Sequence, residues 1–214
     1  MIISVILALG IFMVLPFFLT NLMKGFLPSY SIRTLIEGII RVALFLIYIW
    51  LISKMEDIKR VFMYHGAEHK TINCLEAGVP LTPENVDNFS RLHKRCGTSF
   101  IFIVMIISMV FFFFIRVDTI WLRIVLRLLF LPLVAGVSYE FIRLAGSSDH
   151  PVSYTHLTLP LALQKLTTKE PDHSMIEVAI ASVEGVFDWR EYLDSLNKGE
   201  QKDDCLLYTS DAAD

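Results

Sequence analysis

The run Ile2 to Leu22, IISVILALGIFMVLPFFLTNL, carries no charged side chain over a length that matches a bilayer. About 20 apolar residues suffice to cross the hydrocarbon core as a helix. Met1 leads into it with no basic region and no small-residue cleavage site, so it reads as a retained span rather than a signal peptide. Pro16 is its one helix breaker, and a kink is expected there. Three further apolar runs follow at about Leu35 to Ser53, Thr98 to Ile115 and Thr119 to Leu144. The expected fold is therefore all-α: a polytopic membrane protein with about four transmembrane helices, a cytoplasmic metal-site loop and an amphipathic tail helix.

Composition agrees with this. Of 214 residues, 54% are hydrophobic and 19% charged, and the mean hydropathy is +0.56. Soluble domains are nearer about 25% charged. The net charge of −3 gives no footprint for a nucleic acid. Three cysteines, Cys74, Cys96 and Cys205, make no disulfide framework.

The chain divides at the apolar boundaries. Residues 1–53 hold the first two spans, 54–97 a polar loop rich in His, Glu and Cys, and 98–144 the third and fourth spans. Residues 145–197 form a tail, and 198–214 a polar end expected to be disordered. Four spans place the loop and both termini on one face of the membrane. That face carries Lys54, Lys59, Arg60, Lys70, Arg91, Lys94 and Arg95 in the loop, against Lys24, Arg33 and Arg116 opposite. The positive-inside rule makes the loop side cytoplasmic.

Charges also enter the spans. Glu37 and Arg41 lie one turn apart, as do Arg123 and Arg127, and Glu140 sits near the end of the fourth span. Such residues read either as side chains snorkelling to the interface or as a polar pathway within the bundle. Asp118 is a plausible N-cap for the fourth span. In the tail, Ser174-x-x-Glu177 fits a capping box, and Ile176, Ala179, Ile180, Val183 and Phe187 form one apolar face. Docking on the loop is the expected use of that face.

The chemistry concentrates in the loop. His65-Gly66-Ala67-Glu68-His69 fits H-x-x-E-H, in which two imidazoles one helical turn apart can reach one metal ion. Glu68 is positioned as a general base beside the metal, which is expected to be divalent and most naturally zinc. His93 and Cys96 are the candidate further ligands. His65, His69, His93 and Cys96 together make a closed, structural zinc site; His65, His69 and His93 with an open position make a catalytic one. The spacing does not choose between them. Glu76 shares the helical face of the two histidines but lies too far along the axis to join the same ion. Glu76 and Arg95 are expected beside the ligands rather than among them. Gly97-Thr98-Ser99 offers hydroxyls to cap the third span.

Several stretches resemble one family. These are His65-Gly66-Ala67-Glu68-His69-Lys70-Thr71-Ile72, Leu81-Thr82-Pro83-Glu84-Asn85-Val86 and His93-Lys94-Arg95-Cys96-Gly97-Thr98-Ser99-Phe100. The runs from Ser138 to Gly146 and from Leu163 to Pro171, with the Ile176 to Ile180 helix, belong to the same set. They resemble the YqhQ-like family of uncharacterised bacterial membrane proteins, commonly labelled metal-dependent enzymes. The resemblance implies a bacterial cytoplasmic membrane location and a bound metal, with no reaction specified. Members usually begin with a soluble segment absent before Met1, so the chain is expected to be truncated at its N-terminus. Val152 to Pro160 and Cys205 to Asp214 resemble translated sequencing adapter and fit nothing around them.

Three functions follow as expectations: a membrane-embedded metal-dependent hydrolase, a membrane scaffold or regulator with a structural zinc, and a transporter-like bundle using Glu37, Arg41, Arg123, Arg127 and Glu140. The bilayer is the expected partner, with a substrate the sequence does not name.

Overall fold

A computed structural model describes residues 2–26, 29–115, 117, 119–147 and 160–197. All regular structure among them is helical. Arg116, Asp118 and its expected cap, residues 152–159 of the adapter-like run, and everything after Asn197 lie outside the described residues.

Among the described residues, nine helical stretches follow in order. We label them α1 (Ile2–Gly25), α2 (Tyr30–Ile52), α3 (Glu56–Glu76), α4 (Pro83–Asp87), α5 (Gly97–Phe113), α6 (Ile120–Ser147), α7 (160–167), α8 (His173–Glu184) and α9 (Trp189–Asn197). They fall into two units. One comprises residues 1–54 and 94–166, the other residues 55–93 and 167–214.

In the first unit α1 packs on α2, α2 on α5, and α5 on α6. Three stretches are long and apolar enough to cross a membrane: Ile2–Gly25, Tyr30–Ile52 and Trp121–Leu144. Their outer faces leave large apolar side chains such as Ile2, Phe18, Trp50, Leu129 and Leu144 exposed, as contact with lipid requires. The expected third span is shorter than the others. α5 has 17 residues, about 26 Å at 1.5 Å per residue, against a hydrocarbon core of about 30 Å. It begins only after Cys96, whose extended backbone caps it, and stops at Phe114. The Cys96 side chain makes no cap bond; Thr98 Oγ1 lies 3.0 Å from Cys96 Sγ, and Ser99 Oγ accepts from Gln164 Nε2 at 2.7 Å. A π-helical turn over Gly10–Val14 stands just before Pro16, and the α-helix then continues through Leu22.

The second unit is built on α3. The stretch expected as a loop over 54–97 is helical for most of its first half, with Glu56 and Asp57 in the first turn against the helix dipole. α3 ends in a Schellman turn. Gly78 takes φ of 73°, its N–H donates to Leu75 O at 2.9 Å, and Val79 N–H donates to Cys74 O at 3.1 Å. Thr82 then caps α4, its hydroxyl accepting from Asn85 N–H at 3.3 Å, with Pro83 at the first turn. The apolar face of α8 packs on α3 and α4. Ala67, Cys74, Leu81, Val86, Met175, Ile176, Ile180, Trp189 and Leu193 form the core. The cap of α8 differs from the expected Ser174-x-x-Glu177 box. Asp172 is the N-cap: its carboxylate accepts from Met175 N–H at 3.0 Å and from Ser174 Oγ at 2.6 Å. An ionised carboxylate is the stronger acceptor and outcompetes the hydroxyl. These two bonds hold the Asp172 carboxyl below its usual pKa.

Candidate metal centre

α3 places His65 and His69 on one face, and their ring centroids are 4.4 Å apart. Both project inward, whereas Glu68 is exposed on the helix surface. The stretch over Ser90 and Leu92 is tied to α3 by Asn73, whose amide donates to the Ser90 carbonyl at 2.6 Å and the Leu92 carbonyl at 3.0 Å. This brings the His93 ring to 5.7 Å from that of His69.

The tail supplies the other wall. Lys169 N–H donates to Phe62 O at 2.8 Å, and the Lys169 carbonyl lies where a Cβ on Gly66 would project. Only a residue without a side chain lets the tail approach α3 so closely. Charges reinforce the strap. Glu170 accepts from Arg91 Nε and Lys70 Nζ, both at 3.1 Å. The buried Lys70 also reaches Asp87 Oδ1 at 3.0 Å and the Asp87 carbonyl at 2.8 Å. Arg91 donates further to the Thr168 carbonyl at 2.7 Å.

These ties set the imidazole tautomers. His65 Nδ1 lies 2.9 Å from the Thr167 carbonyl, and His69 Nδ1 lies 2.7 Å from the Arg91 carbonyl. A carbonyl oxygen only accepts, so each Nδ1 carries the proton and each Nε2 presents its lone pair. That is the arrangement found in metal-ligating histidines, whose other nitrogen donates to a carbonyl or carboxylate. His93 is oriented the other way round. Its Nε2 lies 3.3 Å from Glu76 Oε2, and a carboxylate oxygen accepts, so this nitrogen donates. Glu76, at the last turn of α3, therefore acts on His93.

Cys96 is buried at the start of α5, three positions beyond His93. His65 and His69 offer two imidazole donors from one helix face, and Cys96, in the other unit, carries a thiol. Arg95 is half-buried and belongs, like Cys96, to the unit of the apolar helices. The carbonyls of Thr167 and Arg91 went unnoticed in the sequence, because a backbone group has no residue signature. The Leu163 to Pro171 motif was the one available pointer.

The charges of the first unit gather separately. Glu37, 1% exposed, accepts from Arg41 NH2 at 3.0 Å, from Arg123 NH1 at 2.7 Å and from Arg127 NH2. Arg41 Nε also donates to the Phe12 carbonyl, in the π-helical turn, at 2.9 Å. Arg123 NH2 donates to the Val117 carbonyl at 2.6 Å. These residues thus face one another rather than snorkelling outward. Glu140 does not join them: it pairs with Arg143 on an exposed face, at 2.8 Å. The polar set expected of a transporter-like bundle is therefore missing one of its members.

The family described as "Protein of unknown function (DUF1385)" matches residues 1–189. "Uncharacterized protein YqhQ" of Bacillus subtilis (strain 168) is 40% identical over 193 residues, which is 90% of this chain and 59% of that protein. The chain thus spans less than two thirds of the relative's length. No solved structure matches.

Proposed function

Since the chain belongs to the DUF1385 family, with the YqhQ-like motifs in place, we propose that it is a membrane protein binding one divalent metal ion through His65, His69 and Cys96. The observation that carries this reading is the pair of Nδ1–H bonds to backbone carbonyls, which turn two Nε2 lone pairs outward from one helix face. Nitrogen and sulfur donors favour zinc over magnesium or calcium. Cys96 is tethered by the short chain from His93, so it reaches the histidines at little cost in loop entropy. The basic residues of 54–97 support a cytoplasmic side for this site.

Three protein ligands leave a fourth position open, the pattern of catalytic rather than structural zinc. A zinc ion there supplies Lewis acidity, which makes water nucleophilic near neutral pH. Glu68 is exposed on the helix surface, so to take the proton as general base its side chain would have to swing onto the ligand face. The proposed activity is a metal-dependent hydrolysis. A second reading keeps the metal but closes the site with His93, whose ring stands 5.7 Å from that of His69. That site staples the polar unit of a membrane scaffold or regulator.

Metal analysis of the purified full-length chain tests both. One zinc per chain is expected for wild type, lost in His65→Ala and His69→Ala; a folded, metal-free wild type overturns both readings. Glu68→Gln separates them. Metal retained with loss of complementation in a deletion strain supports hydrolysis; metal and complementation both retained support the scaffold.

A further inference from the structure

Among the described residues, the ion cluster on α2 and α6 is unbalanced. Three guanidiniums, Arg41, Arg123 and Arg127, meet one carboxylate, Glu37. The one other carboxylate among the described residues of this unit, Glu140, is spent on Arg143. Arg33 adds a further cation beside Tyr30, its Cζ 5.9 Å from the ring centroid. The Nε atoms of Arg33, Arg123 and Arg127 are buried and make no hydrogen bond among the described residues. Aromatic faces offset part of the excess: Arg123 lies over Phe17 at 4.6 Å and Arg127 over Phe112 at 5.6 Å. They neutralise no charge. Surplus guanidinium charge held among apolar helices is strongly unfavourable unless an anion joins it.

The space beside it is about 10 and 20 Å³ in two cavities, enough for one oxygen or water apiece rather than for a whole phosphate. Two adjoining cavities open onto the cluster, sharing Tyr30, Thr34 and Arg123. Arg127 lines the first; Lys24, Arg33 and Glu37 line the second. Tyr30 starts α2, and Arg123 lies in the first turn of α6, so both mark helix ends. A ligand at helix ends sits at headgroup depth when the helices cross a bilayer. Guanidiniums converging on one space match the oxygens of a phosphate, which accept paired N–H bonds. Basic pockets between membrane helices bind acidic headgroups on these terms.

We propose that the arginine cluster around Tyr30 and Glu37 binds the phosphate of an anionic ligand, either an acidic phospholipid headgroup or free phosphate. This site rests on the membrane reading of the helices and is independent of the metal reading.

The full-length chain in phosphatidylcholine nanodiscs is titrated with phosphatidylglycerol or with inorganic phosphate, and thermal unfolding is followed. A saturable rise in midpoint is expected. A rise with phosphatidylglycerol assigns the site to a headgroup, and a rise with inorganic phosphate alone assigns it to a free anion. Arg33→Gln leaves the Glu37 pairs intact and is expected to weaken the response about tenfold, the worth of one charged hydrogen bond. Lys24→Gln, at an exposed lining position, provides the same comparison if Arg33→Gln does not fold. A midpoint indifferent to both ligands overturns the proposal, as does an identical response in wild type and the variant. So does a phosphatidylglycerol response that appears only in Asp118→Asn, which would make Asp118 the counterion.

Discussion

His65 donates its Nδ1 proton to the carbonyl of Thr167, a residue 102 positions away, at 2.9 Å. The tautomer of one half of the H-x-x-E-H pair is thus set by the tail of the chain. His69 takes its orientation from Arg91, whose own guanidinium holds the next tail carbonyl, that of Thr168. Both imidazoles are therefore aimed by backbone that α3 does not contain.

Gly66→Ala tests the closeness of that contact. Alanine is the better helix former by about 1 kcal/mol. The added methyl, however, lands on the Lys169 carbonyl, and overpacking against backbone costs about 1–3 kcal/mol. Net destabilisation is expected in denaturant titration of the detergent-solubilised protein. Gly136→Ala, with nothing near the new methyl, is expected to be neutral or stabilising.

Glu76→Gln separates the open from the closed metal site. The carboxylate that orients His93 is lost, and such losses weaken metal binding by about 10–100-fold when the histidine is a ligand. With the three-ligand site proposed here, zinc affinity in a chelator competition is expected to stay at the wild-type value.

Glu37→Gln removes the carboxylate shared by three arginines. Breaking a buried ion network from one side costs about 3–5 kcal/mol. A fall of that order in unfolding free energy is expected. Adding Arg127→Met should recover part of it, since one of the stranded charges is then gone, and a double-mutant cycle measures the coupling.

Cys74 gives an alkaline signature. It is fully buried in the core of the polar unit, and burial pushes its thiol up to about 11 from an ordinary 9.0. Between those values the folded thiol keeps a proton that the unfolded one has lost. Stability is therefore present in full below about pH 9, falls as the pH rises toward about 11, and levels off above it. Iodoacetamide at pH 8 is expected to spare Cys74 in the folded protein and label it in denaturant. Cys74→Ala should flatten the alkaline limb.

The sequence made the apolar helices legible because hydropathy is a local sum. Ile2–Gly25, Tyr30–Ile52 and Trp121–Leu144 each have the needed length without help from the rest of the chain. α5 falls short because Cys96 and Phe114 bound it, and those ends depend on backbone geometry that composition does not encode. The H-x-x-E-H spacing correctly put His65 and His69 side by side. It could not reveal Glu68 turning to solvent, since that depends on which face of α3 the tail covers. Likewise Ser174-x-x-Glu177 met the pattern of a cap, yet Asp172 took the role, two residues earlier and with a charge. The pairing of Glu37 with Arg41 was visible at i,i+4; the arrival of Arg123 and Arg127 from α6 was not.

The bond between His65 and Thr167 also bears on biogenesis. A ribosome adding roughly 5–20 residues per second needs about 5–20 s to make the 102 residues that separate them. During that interval α5 and α6 are synthesised, and His65 waits with its tautomer unset. The histidine pair is thus finished late, after the apolar helices that follow it have left the ribosome, and a nascent chain cut short before Thr167 carries both imidazoles without the carbonyl that aims the first.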